Sequence, residues 1–200
     1  MSAIISADET VFFWINGFVG KVPILDRLMI LVGDDYLVFT IMALILLSLW
    51  VGFRSAPERG LNQKAVLCAA VGVGFTCLAI HFFTEYGPPR LRPTDAYPGM
   101  VNLLTYGRTD PSFPSEPAAI AFTFAAGVWL VKRGRLGIAM FLTAALLAFA
   151  RVYVGVHYPL DVIGGAAIGI VASLAALGVL RLAEPLPTWV LKGMRRIYLA

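Results

Sequence analysis

Long apolar stretches dominate the pattern of hydrophobic and polar positions along this chain. At 1.5 Å per helical residue, five of them are long enough to cross a hydrocarbon layer about 30 Å thick, the third only with the help of its flanks. They cover residues 36–53, 65–83, 117–131, 136–156 and 162–182. Because a helix satisfies its own backbone hydrogen bonds in lipid, the pattern predicts an all-α, polytopic membrane bundle of five spans.

The first 35 residues have a mixed pattern. Aromatic residues such as Phe12 and Phe13 supply an apolar face, and charged residues such as Lys21 and Asp26 interrupt it. We predict one or two interfacial helices lying along the bundle, with a sixth, irregular span as the alternative. The predicted organisation is an N-terminal interfacial segment, a transmembrane core and a basic cytoplasmic tail over residues 1–35, 36–183 and 184–200.

Basic residues concentrate in alternate loops. Two loops and the C-terminal end hold ten basic residues and two acidic ones, against six and ten in the rest of the chain. The ten are Arg54, Arg59, Lys64, Lys132, Arg133, Arg135, Arg181, Lys192, Arg195 and Arg196. The positive-inside rule assigns these loops to the cytoplasm, so residues 84–116 and the turn near residues 157–161 face outward.

The composition supports a membrane protein and excludes several other classes. Hydrophobic residues make up 59% of the chain and charged residues 14%, whereas soluble domains carry about a quarter charged residues. The two cysteines, Cys68 and Cys77, lie in one apolar stretch. They cannot form a disulfide framework, and no Cys/His spacing indicates a metal site. The sequence has no signature of nucleic-acid binding.

Two polar clusters occupy the long outward segment. Arg90 and Arg92 are stiffened by neighbouring prolines, and guanidinium groups match phosphate oxygens by paired hydrogen bonds. Contact with lipid headgroups is the alternative. Ser115 is placed to cap the third span, with Pro117 in its first turn, and a helix N-terminus binds anions. A simple capped helix is the alternative there.

A third cluster follows the fourth span. Arg151 precedes His157 by six residues, and Asp161 follows it by four. A carboxylate beside an imidazole holds one ring nitrogen protonated and leaves the other free to attack. A structural histidine at the membrane interface is the alternative. Because Arg151 is costly in lipid, we expect it to face a polar cavity.

Together the three clusters resemble the signature of the type 2 phosphatidic acid phosphatase family, which shares its core with vanadium haloperoxidases. That signature reads Lys-x6-Arg-Pro, Pro-Ser-Gly-His and Ser-Arg-x5-His-x3-Asp. The matching positions here are Arg92-Pro93, Pro114-Ser115 and Arg151-x5-His157-x3-Asp161. The resemblance spans roughly residues 10–182 and implies the family's helical membrane fold.

The resemblance also implies a mechanism that needs no metal or other cofactor. His157 would attack phosphorus to form a phosphohistidine, Asp161 would orient its ring, and water would hydrolyse the intermediate. The phosphate oxygens would be held by Arg92, Arg151, Ser115 and the backbone N–H of Glu116.

The sequence departs from the family pattern at two important positions. The lysine of the first motif corresponds to Glu85, and Arg90 is the candidate to supply the missing charge. The histidine of the second motif, the family's general acid, corresponds to Pro117, which cannot donate a proton. Three explanations stay open: Glu116, or else Glu85 or His81, replaces the acid; the substrate is a diphosphate; or hydrolysis has been lost.

The implied function is a lipid phosphatase of the bacterial inner membrane whose active site faces the exterior. The chain looks most like the undecaprenyl-diphosphate phosphatase branch, so a polyprenyl diphosphate or a related lipid phosphate is the expected substrate. The expected partners are that lipid and the surrounding membrane, with a homo-oligomer possible. The alternatives are a protein that binds or transports a lipid phosphate without turnover, and a phosphotransferase.

Overall fold

A computed structural model describes residues 2–52 and 56–196 of the chain, and within these residues it is all-helical. The helices in chain order are α1 (Ser2–Asn16), α2 (Pro23–Val32), α3 (Leu37–Val51), α4 (Ala56–Tyr86), α5 (Pro93–Ala96), α6 (Glu116–Val131), α7 (Arg135–Tyr153), α8 (Pro159–Leu182) and α9 (Leu186–Arg196). The predicted end of the first span at Phe53, the basic residue Arg54 and the side chains of Arg195 and Arg196 lie outside the described residues. The predicted all-α class is confirmed.

All five predicted spans are helical, but they differ in length. Three helices, α4, α7 and α8, are long and apolar enough to cross a membrane alone. A fourth span is reached if α2 and α3, bent by 52° at a short break, count as one. The apolar helix α6 has 16 residues, so it covers only about 24 Å. By length and composition, the described part of this multi-pass membrane protein has three to four full-length spans, and α6 is a shorter apolar helix, like the third predicted stretch.

The first helix of the N-terminal segment is partly buried in the bundle. One face of α1 packs against α7 and α8, where Phe12 is fully buried and the polar residues Asp8 and Asn16 are buried with it. The amide of Asn16 donates to the carbonyls of Asn102 (2.9 Å) and Tyr153 (3.0 Å). Helix α1 is therefore joined to the outward loop and to the end of α7 by directed contacts.

Small residues bring α4, α6 and α8 into close contact. A Cβ atom on Gly127 would lie 2.6 Å from the Cα of Ala69, and one on Gly165 would lie 2.4 Å from the carbonyl oxygen of Ser115. Such approaches exclude any larger residue, as is common where membrane helices pack. The second contact holds the N-terminus of α6 against the first turns of α8, so Ser115 and Asp161 are brought together.

The end of the bundle opposite this contact is stabilised by surface charges. The Lys64 ammonium lies 2.5 Å from the Glu184 carboxylate, and Lys132 donates to the side chain of Asn62 (2.6 Å). The loops that were predicted to share the cytoplasmic face therefore meet at one end. The predicted tail includes α9, whose Leu191 is buried against the bundle.

Candidate active site

A small cavity opens where α4 ends and α6 begins. It is bordered by residues of both helices, of the long loop before α6 and of the turn after α7. The lining residues are Ile80, Thr84, Arg92, Arg108, Asp110, Pro111, Pro114, Glu116, Pro117 and His157. The outward loop and the turn, which the sequence analysis singled out, thus meet at one polar site.

His157 has the hydrogen-bonding pattern of a nucleophile. Its side chain is buried, and its Nδ1 lies 2.9 Å from the carbonyl oxygen of Ser112. Because a carbonyl can only accept, Nδ1 carries the proton and Nε2 keeps its lone pair. Burial lowers the pKa of the His157 imidazole to about 4; the charges of Arg151 and Arg92 act in the same direction, and Asp161 acts against them. The ring is therefore neutral at pH 7.

Asp161 is fully buried and acts on His157 partly through an intermediate residue. Its Oδ2 lies 3.8 Å from His157 Nδ1, beyond hydrogen-bond distance. The same oxygen accepts hydrogen bonds from the hydroxyl of Ser112 and from the backbone N–H of Tyr158 (2.8 Å). The predicted aspartate thus fixes Ser112, and the carbonyl of Ser112 fixes the imidazole.

Arg90 is held by two buried carboxylates. Its guanidinium donates 2.6 Å to Asp161 and 2.5 Å to Asp8 of α1, and it lies over the Tyr158 ring, 4.1 Å from the centroid. Asp8 also accepts from the backbone N–H of Leu160 (2.8 Å). Both terminal nitrogens of Arg90 are thus bonded to protein carboxylates, although we predicted it as a substrate ligand.

Arg92 lies on the cavity side, although only one residue separates it from Arg90. It is buried, and its Nη1 is 3.5 Å from His157 Nε2. Asp110 holds its other edge, accepting 2.7 Å from Nη2 through the carboxylate and 2.9 Å from Nε through the backbone carbonyl. A cation is thereby fixed beside the nitrogen that is free to attack.

Arg151 and Ser115 carry buried polar atoms that lack protein partners. Arg151 uses Nη1 to donate to the Gly33 carbonyl (2.8 Å) and to the Asp35 carboxylate (2.9 Å). Its Nε and Nη2, together with Ser115 Oγ, are buried without a hydrogen-bond partner among the described residues. Ser115 is the N-cap residue of α6, but its hydroxyl makes no capping bond. Since unpaired buried donors are costly, their presence here indicates an anionic ligand.

The proton-donor candidates named from the sequence have different positions. Glu116 borders the cavity and is exposed. His81 and Glu85 are exposed on α4, whereas Ile80 and Thr84 are the residues of that helix that line the cavity. Burial acts to raise the pKa of Asp110, but the hydrogen bond and charge of Arg92 bring it below its usual value, so Asp110 is an anion.

Several residues of the site were not predicted from the sequence. Ser112 matches no position of the three motifs. Asp8 and Asp35 are far in sequence from the arginines that they hold, whereas Asp110 is close in sequence to Arg92. These partners are Ser112 for His157, Asp8 for Arg90, Asp35 for Arg151 and Arg108, and Asp110 for Arg92. A search for acidic residues to match each buried arginine would have indicated that partners exist, but not which ones. Within the described residues, no group of three His, Cys, Asp or Glu side chains is suited to bind a metal ion.

This chain is similar to several known proteins. YbjG of Escherichia coli strain K12 is 31% identical over 84% of this chain and 79% of its own length. The undecaprenyl-diphosphatase BcrC of Bacillus subtilis is 29% identical over 80% of this chain and 78% of its own. The crystal structure of Aquifex aeolicus LpxE aligns with a TM-score of 0.60 at 29% identity, covering 84% of this chain and 93% of that one. The family model of the PAP2 superfamily matches residues 65–183, more than half of the sequence. The chain therefore belongs to the PAP2 superfamily and is a membrane lipid phosphatase.

Proposed function

We propose that the chain removes the terminal phosphate of a polyprenyl diphosphate at the outer face of the inner membrane. The observation that carries the proposal is the set of unpaired buried atoms, Arg151 Nε and Nη2 and Ser115 Oγ, beside a neutral His157. A phosphate group supplies acceptors for all of these donors. Undecaprenyl-diphosphatase relatives favour a polyprenyl diphosphate as the lipid.

In the proposed first step, His157 Nε2 attacks the terminal phosphorus. A nitrogen–phosphorus bond forms, the bond from phosphorus to the bridging oxygen breaks, and its electron pair leaves with the polyprenyl monophosphate. Arg92, Arg151 and Ser115 hold the transferred oxygens, which stabilises charge by preorganised donors. The Nδ1 proton stays on the hydrogen bond to the Ser112 carbonyl throughout.

In the second step, water attacks phosphorus and the nitrogen–phosphorus bond breaks. Inorganic phosphate leaves, a proton is released to solvent, and Nε2 regains its lone pair. Ser112 holds the ring in place for both steps. Asp161 accepts the hydrogen bond of the Ser112 hydroxyl, and Arg90 donates to Asp161. We propose Arg90 as a positioning residue for this reason.

A diphosphate substrate explains how the site works with Pro117 in place of a general acid. The leaving polyprenyl monophosphate is the base of an acid with a pKa of about 6, whereas an alcohol leaving group has a pKa of about 16, near that of water. General acid catalysis is worth typically 10²- to 10⁴-fold, and only the alcohol needs it here. Glu116 is the alternative acid, and Glu116→Gln tests it through hydrolysis of monophosphates.

The test is release of inorganic phosphate by the purified protein in detergent micelles. Farnesyl diphosphate and undecaprenyl diphosphate are the substrates, and farnesyl monophosphate is the matched control. We expect release from the diphosphates and none with His157→Ala. A radiolabelled terminal phosphate should also give an acid-labile phosphoprotein with the unsubstituted chain but not with His157→Ala.

Binding without turnover is the second candidate function, and the observation in its favour is Pro117 in the cavity wall. No phosphate release from any of these lipids, with farnesyl diphosphate still bound, would support it. The basic loops at the opposite end support the proposed outward orientation. It is tested separately with a membrane-impermeant thiol reagent, using single cysteines placed at Gly99 and Gly134 in a background without Cys68 and Cys77.

A further inference from the structure

The cavity beside His157 shares a wall with a second cavity of about 200 Å³. Three residues border both cavities: Arg108, Glu116 and Pro117. The second cavity lies between the start of α3 and the first turns of α6. Its other walls are Asp35, Tyr36, Phe39 and Ile120. It therefore has a polar end next to the first cavity and an apolar end between two hydrophobic helices, the division that suits a lipid with a charged head.

Arg108 is held at the boundary between the two cavities. Its Nη1 lies 3.1 and 3.3 Å from the two oxygens of Asp35, and its Nε lies 3.6 Å from Asp110. Asp35 also accepts from Arg151, and Asp110 accepts from Arg92. Arg108 is thus joined through a carboxylate to each of the two arginines beside His157, so its position is coupled to theirs. Its side chain keeps 28% exposure.

The wall shared by the cavities offers a fixed cation where an acid is expected. Burial acts to lower the pKa of Arg108, but the charges of Asp35 and Asp110 raise it above its ordinary value, so the group is permanently charged. Pro117 has no proton to give. With Glu116 of the same wall as the alternative acid, Arg108 offers a leaving group that departs past this wall stabilisation by positive charge without proton transfer.

We propose that Arg108 forms a subsite for the second phosphate of a lipid diphosphate, the one that stays on the lipid when the terminal phosphate is transferred. This proposal rests on the proposed function, because it assumes a phosphate on His157. The hydrogen bonds and ion pairs of Arg108 with described residues run through Nη1 and Nε, and Nη2 is the donor that we assign to the second phosphate. The lipid chain then runs along Phe39 and Ile120.

Arg108 acts in the first step only. As the bond from the terminal phosphorus to the bridging oxygen breaks, negative charge grows on that oxygen and spreads over the lipid phosphate. The guanidinium of Arg108 neutralises this charge, and no proton is transferred. A monophosphate places an alcohol oxygen there, which gives Arg108 nothing to bind in the ground state. The residue thus selects diphosphates over monophosphates.

Binding measurements in a background without turnover test the subsite. The protein carries His157→Ala, alone or with Arg108→Gln, and the ligands are farnesyl diphosphate and farnesyl monophosphate. Charged hydrogen bonds to a phosphate predict about 10- to 100-fold weaker binding of the diphosphate upon Arg108→Gln, with the monophosphate changed less than about 3-fold. Arg108→Lys should recover part of the diphosphate binding because it keeps the charge.

Tyr106→Phe is the matched control. Tyr106 donates to the same Asp35 carboxylate but does not border either cavity, so its loss disturbs Asp35 without removing the proposed ligand. It should leave the ratio of the two affinities unchanged. Equal weakening of both ligands by Arg108→Gln, or no weakening, would overturn the proposal. If Arg108→Gln does not fold, the same ratio is measured with Arg108→Lys.

The proposed function can fail independently of the subsite. Phosphate release that persists in the His157→Ala protein would contradict the phosphohistidine mechanism, while the ratio of the two binding constants still reports on Arg108. Conversely, an unchanged ratio of the two binding constants upon Arg108→Gln, with phosphate release that depends on His157, would contradict the subsite alone.

Discussion

Arg90 and Arg151 are both held by carboxylates near His157, but they differ in what their guanidinium groups have left to offer. Arg90 gives one terminal nitrogen to Asp161 and the other to Asp8. Arg151 donates from Nη1 to Gly33 and Asp35, and its two other nitrogens are buried without a partner among the described residues. An arginine with satisfied terminal nitrogens holds the protein together, whereas a buried one with unpaired donors is prepared for a ligand.

The difference is visible again in two serines three residues apart. The Ser112 hydroxyl donates to Asp161, and its carbonyl accepts from His157. The Ser115 hydroxyl is equally buried and has no partner within the described chain. The site thus has a closed side, defined by Asp8, Arg90, Asp161 and Ser112, and an open side, defined by Arg92, Arg151 and Ser115. The predictions below test this division.

The largest expected effect is on the open side. Arg151→Lys keeps the charge but loses the planar fork that can bond two phosphate oxygens. We expect phosphate release from farnesyl diphosphate to fall by about 10²- to 10³-fold in kcat, the usual cost of one preorganised donor. Arg133→Lys, at an exposed arginine of the opposite end, is the control and should be neutral. Retention of more than a tenth of the activity by Arg151→Lys would place its unpaired nitrogens outside the reaction.

The next effect concerns the closed side. Asp8→Asn removes the charge that holds Arg90 from α1, so we expect a lower melting temperature and a kcat reduced by about 10-fold, with KM within about 2-fold. Breaking one partner of a buried pair costs about 3–5 kcal/mol, and the partial exposure of Arg90, 24%, reduces this figure.

Two measurements check the Asp8 prediction, thermal unfolding in micelles and steady-state phosphate release. Asp95→Asn, at an exposed aspartate of the outward loop, is the matched control. A raised KM with an unchanged melting temperature would instead indicate that Arg90 binds substrate, as its place in the sequence first suggested.

Alanine substitutions of the two serines should have smaller effects on kcat and should change the melting temperature in different directions. Ser115→Ala removes a buried hydroxyl that has no partner, so the melting temperature should stay the same or rise while kcat falls by about 10-fold. Ser112→Ala removes the donor to Asp161, so the melting temperature and kcat should fall together. Differential scanning fluorimetry and phosphate release on the two variants decide this. A matched loss of stability in both would contradict the unpaired state of Ser115.

The smallest effect is a predicted absence of titration. Because His157 has a pKa of about 4, its ring should stay neutral from pH 8 to pH 5, whereas an exposed histidine changes charge near pH 6.5. The His81→Gln variant leaves one histidine, so NMR of isotope-labelled histidine reports His157 alone. The unfolded chain binds the proton more readily, so stability should decline as the pH falls from about 6.5 towards 4. Titration near pH 6.5 would show that the ring is hydrated.

Much of this site could be anticipated because its core is local in the sequence. Arg151, His157 and Asp161 fall within eleven residues, and a helix end followed by a helix start brings them together whatever the rest of the chain does. Arg92 and Ser115 lie on one loop between two predicted spans. The roles of all these residues are predictions that the proposed experiments test.

The partners of these residues could not be anticipated for the opposite reason. Asp8 is 82 residues from Arg90, and Asp35 is 116 residues from Arg151. Hydrophobic periodicity carries no information about which of twelve acidic residues meets which arginine, since any surface carboxylate has the same local pattern.

The sequence by itself determined the membrane class, the helical spans, the long loop before α6 and the residues of the third motif, because apolar length and short spacings are local properties. Only the tertiary structure decided which arginine is saturated and which is open. That outcome depends on how α1 and the break before α3 pack against the ends of α7 and α8. A hydrogen bond is formed by two groups that meet in space, and their meeting is a property of the whole bundle.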